Sequence, residues 1–358
     1  MKKGLSEAER SDFKAGGFNA EAYLPANLFE RITDLRIDHP ELIEQEARRR
    51  KKRPQLCRDG KLVLVALDHP ARGITRIRDD DLAMGDRYQL LARARRLLSD
   101  PDLDGIVAAS DVLDELLLLS SLERQRRRQT FLDSKVIVGS MNRGGLAGCA
   151  FEMEDSFTSI TAQRLAELGC DGGKMLYRLD PLDPASARTI LACSRELNEL
   201  RRCQLTAFLE PLEVVRDGNG YCVKTDSATL VRQCGIATAL GDSSSNLWLK
   251  LPYCENFGSV GRATTVPILL LGGPPRERPS DTLGDFSDGF ASSTRVRGAI
   301  IGRNLLFPGK HEDPLPMCRA LTSMVHRGVK LEEAILNLRK SGSNSPVLQR
   351  KHVRGVRQ

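Results

Sequence analysis

The stretch Asn246-Leu-Trp-Leu-Lys-Leu-Pro-Tyr253 decides how the chain is read. It is a short, almost wholly apolar segment with one lysine, Lys250, close to its C-terminal end. Apolar neighbours strip hydration from an ammonium, so its pKa falls and the neutral amine becomes available. A neutral amine at the mouth of a barrel is the nucleophile that Schiff-base chemistry on a carbonyl requires. Taken alone, the plainer reading is a lysine that snorkels out at a strand end. The flanking sequence has to decide.

Working outward, the segment is one of eight apolar runs with strand character, at 61–67, 105–109, 135–140, 171–177, 204–210, 247–251, 267–271 and 296–301. Helix-like stretches alternate with them, at 82–98, 111–127, 158–168, 184–201, 227–239, 280–293, 314–325 and 331–340. Val214–Val223 carries Asp217-Gly-Asn-Gly220, a hairpin-like turn read as an excursion within a loop. Buried strands alternating with helices call for a parallel sheet covered on both faces. Eight repeats over roughly 250 residues fit an α/β (β/α)8 TIM barrel better than an open doubly wound sheet. Residues 1–60 read as an N-terminal helical extension, 61–340 as the barrel and 341–358 as a basic tail expected to be mobile. Within the extension, 25–36 and 39–53 are helix-like, with Asp38 as a cap.

Composition narrows the classes. Hydrophobic content of 41% and charged content of 28% fit a soluble globular protein. No stretch has signal-peptide or membrane-span character, so a cytoplasmic protein without a membrane partner is expected. The nine cysteines form no C-x-x-C pair and the five histidines no H-x-x-x-H pair, which argues against disulfides, a metal or a zinc site. Net charge is +7, and the densest basic run is Arg48-Arg-Arg-Lys-Lys-Arg53. Without interleaved aromatics, and following Glu41, Glu44 and Glu46, it reads as a solvated helix end rather than a nucleic-acid contact. The positive balance favours phosphorylated substrates.

In such a barrel the reacting groups sit at the C-terminal ends of the strands. Asp68 ends the first run, Lys174 lies in the fourth, Glu210 ends the fifth and Lys250 lies late in the sixth. With strand period two, an inward Lys250 takes Trp248 with it and sends Leu247, Leu249 and Leu251 to the helices. An inward Asp68 likewise takes Leu64 and Ala66 inward, and sends Val63, Val65 and Leu67 outward. Each residue has a dull alternative: a loop cap for Asp68, a structural ion pair for Glu210, a rim charge for Lys174. All four at strand C-termini favour a pocket in which a second ammonium depresses Lys250 and a carboxylate moves protons. Gly272-Gly273 and Gly302-Arg303 follow the seventh and eighth runs, where barrel loops commonly bind phosphate, with Arg276 a further candidate.

On these motifs the chain resembles the class I aldolase superfamily: tagatose-bisphosphate, deoxyribose-phosphate and archaeal-type fructose-bisphosphate aldolases. Leu64-Val-Ala-Leu-Asp-His69 resembles the first-strand acidic motif, and Gly169-Cys-Asp-Gly-Gly-Lys-Met-Leu-Tyr177 the assisting-lysine strand. Phe208-Leu-Glu210 resembles the glutamate strand, and Leu247-Trp-Leu-Lys-Leu-Pro252 the Schiff-base strand. Leu271-Gly-Gly-Pro274 and Ala299-Ile-Ile-Gly-Arg-Asn304 are similar to the archaeal-type enzymes. The resemblance implies Lys250 as the Schiff-base lysine and Lys174 as its assistant. Glu210 and Asp68 become proton-transfer or hydroxyl-binding groups. Gly273, Gly302 and Arg303 become phosphate ligands; position along the strands and loops alone adds Gly272, Trp248 and Arg276 as candidate substrate contacts. The resemblance implies no cofactor, a phosphorylated sugar as substrate and a homo-oligomer. The overall pattern is similar to an actinobacterial branch associated with inositol breakdown, which implies a phosphorylated deoxy-keto-gluconate as one substrate.

Two departures stand out. Gly172-Gly173 replaces a bulkier pair and is expected to open the pocket or loosen the strand. Pro70 removes a backbone N–H that glycine would supply. The leading expectation is a metal-independent carbon–carbon lyase acting on a phosphorylated ketose or keto-sugar acid. The alternatives are a phosphosugar isomerase or other lyase, and a non-catalytic phosphosugar-binding barrel.

Overall fold

The computed structural model describes residues 17–143, 145–149, 151–218, 220–309 and 311–343. Its strands are β1 (Leu62–Ala66), β2 (Gly105–Ala108), β3 (Val136–Ser140), β4 (Gly172–Leu179), β5 (Thr206–Asp217), β6 (Gly220–Val223), β7 (Leu247–Pro252), β8 (Ile268–Leu271) and β9 (Val296–Ile301). The sheet order is β4-β3-β2-β1-β9-β8-β7-β5-β6, and β4 also pairs with β5. That last pairing closes eight parallel strands into a (β/α)8 TIM barrel, as the alternation predicts. β6 stands outside the ring. It pairs antiparallel with the far end of β5, from Val214↔Val223 to Asp217↔Gly220. β5 and β6 therefore pair as a hairpin off the barrel, where the turn signal placed an excursion within a loop. β5 is twelve residues long, because its last four residues, Val214–Asp217, gain a partner that the barrel does not supply.

Helices cover the outside, and three of them begin where a side chain accepts one of the first free N–H groups. Asp86 accepts from Gln89 N at 3.0 Å, Thr161 from Arg164 N at 3.1 Å and Asp226 from Thr229 N at 2.9 Å. These caps set starts later than periodicity alone gives: the helix expected from Leu82 runs Arg87–Leu98, and the one expected from Thr158 runs Ala162–Glu167. The last helix runs Leu331–Ser343, and the expected basic tail lies outside the described residues from 344 on.

Strand period two divides the interior. Leu62, Leu64 and Ala66 join Val107, Val136, Val138, Phe208, Leu269 and Ile300 inside the ring, with Trp248 packed against them. Val63, Val65, Leu67, Leu247, Leu249 and Leu251 belong to the larger layer between strands and helices. The inward and outward sets match the alternation read from the sequence.

The extension helices differ from expectation in one respect. Asp38 is the last residue of Ala26–Asp38 rather than a cap, and the next helix is Leu42–Arg49. The basic run after it is not simply solvated. Arg50 is buried and donates to Lys135 O and Gly169 O, both at 2.8 Å. Arg53 pairs with buried Asp104 at 2.9 Å. Loop carbonyls beneath β3 and β4 need donors there, and the run supplies them.

Candidate active site

Above the apolar layer the ring changes character. The inward positions next along their strands are Asp68 just past β1, Ser140 ending β3, Lys174 in β4, Glu210 in β5 and Lys250 in β7, and all five are buried. Lys174 Nζ donates to Asp68 Oδ2 at 3.0 Å and stands 3.2 Å from Glu210 Oε2. Lys250 Nζ donates to the same Glu210 oxygen at 2.8 Å. Ser140 Oγ donates to Asp68 Oδ2 at 2.9 Å. The four charged residues picked out by strand position thus form one connected cluster.

The electrostatics split the two lysines. Burial pushes both down. For Lys174 the carboxylates of Asp68 and Glu210 overcome burial and hold it above the usual lysine value, as a fixed ammonium. For Lys250 burial prevails with help from the Lys174 charge, against the pull of Glu210, and its pKa is lowered. Burial would raise Glu210, but Lys250 and then Lys174 bring it down to about 2. Asp68 is likewise held well below the carboxylate range against burial, chiefly by Lys174. One cation, two ionised carboxylates and one amine inclined to lose its proton result.

Several residues at the mouth escaped the sequence reading. Asn142 holds the backbone of Leu176, donating to its carbonyl at 2.6 Å and accepting from its N–H at 2.8 Å, which fixes β4 two residues past Lys174. Arg178, four residues beyond Lys174 on the same strand, lies 3.1 Å from Glu152. Arg72 ends the 3-10 turn Pro70–Arg72, and its charge acts on Asp68, Lys174 and Glu210. His69 is pushed down to about 3 by burial, with Arg303 and Arg72 adding to it and Asp68 opposing, so its ring is neutral. Ser140 and Asn142 follow the strand-end rule that found the others. Arg72 sits in a loop and leaves no periodic signal.

The expected phosphate loops are close-knit. Asn304 Nδ2 donates to Gly272 O at 2.6 Å and Pro274 O at 2.8 Å, and Arg303 Nη2 donates to Gly273 O at 3.2 Å. A Cβ on Gly272 would lie 2.7 Å from Ile301, and one on Gly302 would lie 2.3 Å from His69. The protein's own side chains thus use those two gaps, and Gly273, at φ +67, is the one with open space beside it. The Arg276 guanidinium pairs with Asp285 on the following helix instead of turning to the mouth. Trp248 lies one inward position before Lys250, on Phe208 at 6.2 Å between ring centroids and in the apolar layer with Leu56 and Cys57. It packs the floor of the barrel, because the residue two before a mouth position lies about 6.6 Å deeper.

The departures also resolve. A Cβ on Gly172 would meet Thr206 O at 2.4 Å and the Phe208 ring at 2.9 Å, and one on Gly173 would meet Met141 at 2.5 Å. The glycine pair therefore admits neighbouring side chains and leaves no widened pocket. Pro70 occupies the first turn of its 3-10 helix, where an N–H has no intrahelical acceptor to lose.

The chain matches the family model described as Cgl0159-like over residues 60–315. It belongs to the Cgl0159-like family. Cgl0159 from Corynebacterium glutamicum is 34% identical, over 85% of this chain and 98% of that one, with a TM-score of 0.78. Beyond the family, an archaeal fructose 1,6-bisphosphate aldolase shares 19% identity over 80% of this chain and 100% of its own, at TM-score 0.53. An archaeal fructose-1,6-bisphosphate aldolase with its catalytic Lys covalently bound to the carbinolamine intermediate of the substrate shares 19% over 79% and 99%, at 0.51. At such identity the likeness is one of fold: this Cgl0159-like chain is built on the barrel that Schiff-base aldolases also use. Among the described residues no helix is long and apolar enough to cross a membrane, and no cluster of His, Cys, Asp and Glu is arranged to hold a metal ion.

Proposed function

We propose that this Cgl0159-like protein is a class I aldolase, a carbon–carbon lyase that forms a Schiff base between Lys250 and the carbonyl of a phosphorylated ketose or keto-sugar acid. The observation that carries the reading is the placement of Lys250 Nζ, buried and 2.8 Å from Glu210 beside the fixed ammonium of Lys174. A structural ion pair would need neither the second lysine nor the strand-end position.

In this reading the Lys250 ammonium gives its proton to Glu210, 2.8 Å away, the neutral amine adds to the carbonyl to give a carbinolamine, and Glu210 returns that proton to the departing hydroxyl as water leaves and the iminium forms. The iminium then draws electrons from the bond between the α carbon and the hydroxyl-bearing β carbon. That bond breaks as the β-hydroxyl gives up its proton, releasing an aldehyde and leaving an enamine. Reprotonation at carbon and hydrolysis by water free the second product and the amine. Glu210 suits the first task, because losing the Lys250 charge removes the largest influence holding its pKa down. Asp68, pinned by Ser140 and Lys174, accepts a substrate hydroxyl. Gly273 and Arg303 take the phosphate, and no metal is required. A deoxy-keto-gluconate phosphate is the substrate that the sequence resemblance favours, acted on in the cytoplasm by a homo-oligomer.

Borohydride reduction in the presence of dihydroxyacetone phosphate should fix the adduct mass on Lys250 and nowhere in Lys250→Met. Turnover that needs a metal, is abolished by chelator and leaves no trapped adduct would overturn the proposal.

A further inference from the structure

Two half-buried arginines at the mouth are short of hydrogen-bond partners. Arg72 is fixed through its backbone: Pro70 starts its turn, Gly73 closes it at φ 75, and its carbonyl accepts the Ala147 N–H at 3.1 Å. Arg303 opens the short segment after β9, the strand that pairs with β1. Both Nε atoms are shut off from solvent with no acceptor. Arg303 donates to one carbonyl, Gly273 O, and neither guanidinium has an ion-pairing carboxylate among the described residues. The nearby carboxylates are engaged elsewhere: Asp68 and Glu210 with lysines, Glu152 with Arg178. The two charges also repel, since after burial the Arg72 charge is the main influence lowering Arg303. His69, neutral and wedged against Gly302, adds no charge to the pair.

Two poorly compensated cations on the loops that follow paired strands β1 and β9 are unfavourable until an anion arrives, and a dianion with three acceptor oxygens matches two forks. We propose that Arg72 and Arg303 together form a phosphate-monoester site across the seam between the β1 and β9 loops, with Arg72 a substrate-binding residue. The phosphate then lies over the first and last loops of the barrel rather than over the Gly272-Gly273 turn alone. The inference rests on the aldolase reading only for what the phosphate is attached to.

The test uses the full-length protein and inorganic phosphate, titrated calorimetrically into wild type, R72Q, R303Q and R72K, each first shown to melt as wild type does. Charge-assisted hydrogen bonds of this kind are worth about tenfold or more in affinity. R72Q and R303Q should each weaken phosphate at least about tenfold, and R72K, which keeps charge but not the fork, by less. With dihydroxyacetone phosphate, R72Q should raise the concentration for half-maximal trapping on Lys250 without lowering the plateau. Phosphate affinity in R72Q within about twofold of wild type, or no phosphate binding by wild type, overturns the inference. Trapping that ignores R72Q leaves the aldolase reading standing without this site. Arg72-dependent phosphate binding without any adduct supports the site and removes the aldolase reading.

Discussion

Glu210 Oε2 stands 2.8 Å from Lys250 Nζ, and the same oxygen is 3.2 Å from Lys174 Nζ. One acceptor shared by two amines makes their proton affinities interdependent. Of the two, Lys174 keeps a second carboxylate, Asp68, whereas Lys250 depends on Glu210. The cluster therefore loses its first proton from Lys250.

Glu210→Gln removes the carboxylate that holds the Lys250 proton in place. The pKa of Lys250 should fall further, so borohydride trapping should reach its midpoint at lower pH than in wild type. Carbinolamine dehydration would lose its acid, and turnover should drop by about 100-fold or more. Trapping profiles against pH with a ketose phosphate check the first effect, and steady-state aldehyde release checks the second.

Lys174→Met moves the same profile the other way. Without the neighbouring ammonium, and with Glu210 left to Lys250 alone, the Lys250 pKa should rise and trapping should need higher pH. Asp68 and Glu210 also lose a buried counter-ion, which should destabilise the fold by about 3–5 kcal/mol. Urea unfolding beside the trapping profile separates the two consequences. A midpoint that stays put would mean that Lys174 does not act on Lys250.

Acid stability follows from the carboxylates. Glu210 is about 2 in the folded protein against 4.5 for the free side chain, and Asp68 is depressed too. A carboxylate that ionises more readily when folded contributes stability that is fully present above its unfolded pKa and lost as pH falls through the folded value. Between about 4.5 and 2 the unfolded chain takes up protons that the native site refuses, so the urea midpoint should fall steeply there. Glu210 contributes on the order of 3 kcal/mol to that fall by the usual conversion. Glu210→Gln should flatten this limb while leaving that of Asp68.

The fold and the charged cluster were legible for one reason: both depend on strand period. Asp68, Glu210 and Lys250 each end or nearly end an apolar run, and alternation fixed which neighbours share their face. Trp248 exposes the limit of the same rule, since period gives a face but not a depth. The glycines mark another limit. Gly172, Gly272 and Gly302 look like sites of ligand approach, yet Phe208, Ile301 and His69 take the space, and only three-dimensional neighbours reveal that. Arg276 was drawn away by Asp285, nine residues on, and Arg72 lay in a loop without pattern.

Arg50→Ala tests the opposite end of the barrel. Its guanidinium links the extension to the carbonyls of Lys135 and Gly169, each at 2.8 Å, and lies 3.9 Å from Asp171. Both acceptors sit next to strands β3 and β4, far along the chain from the extension. Truncation removes two charge-assisted bonds and leaves buried carbonyls unpaired, a loss of about 3 kcal/mol. The mouth is untouched, because Arg50 contacts none of Asp68, Lys174, Glu210 or Lys250. Thermal unfolding should therefore shift clearly downward while borohydride trapping on Lys250, measured well below the new midpoint, keeps its wild-type yield and pH profile. A melting temperature equal to wild type would show that the extension is not fastened to the barrel by this residue. A changed trapping profile would show that the base of the barrel bears on the lysine pair above it.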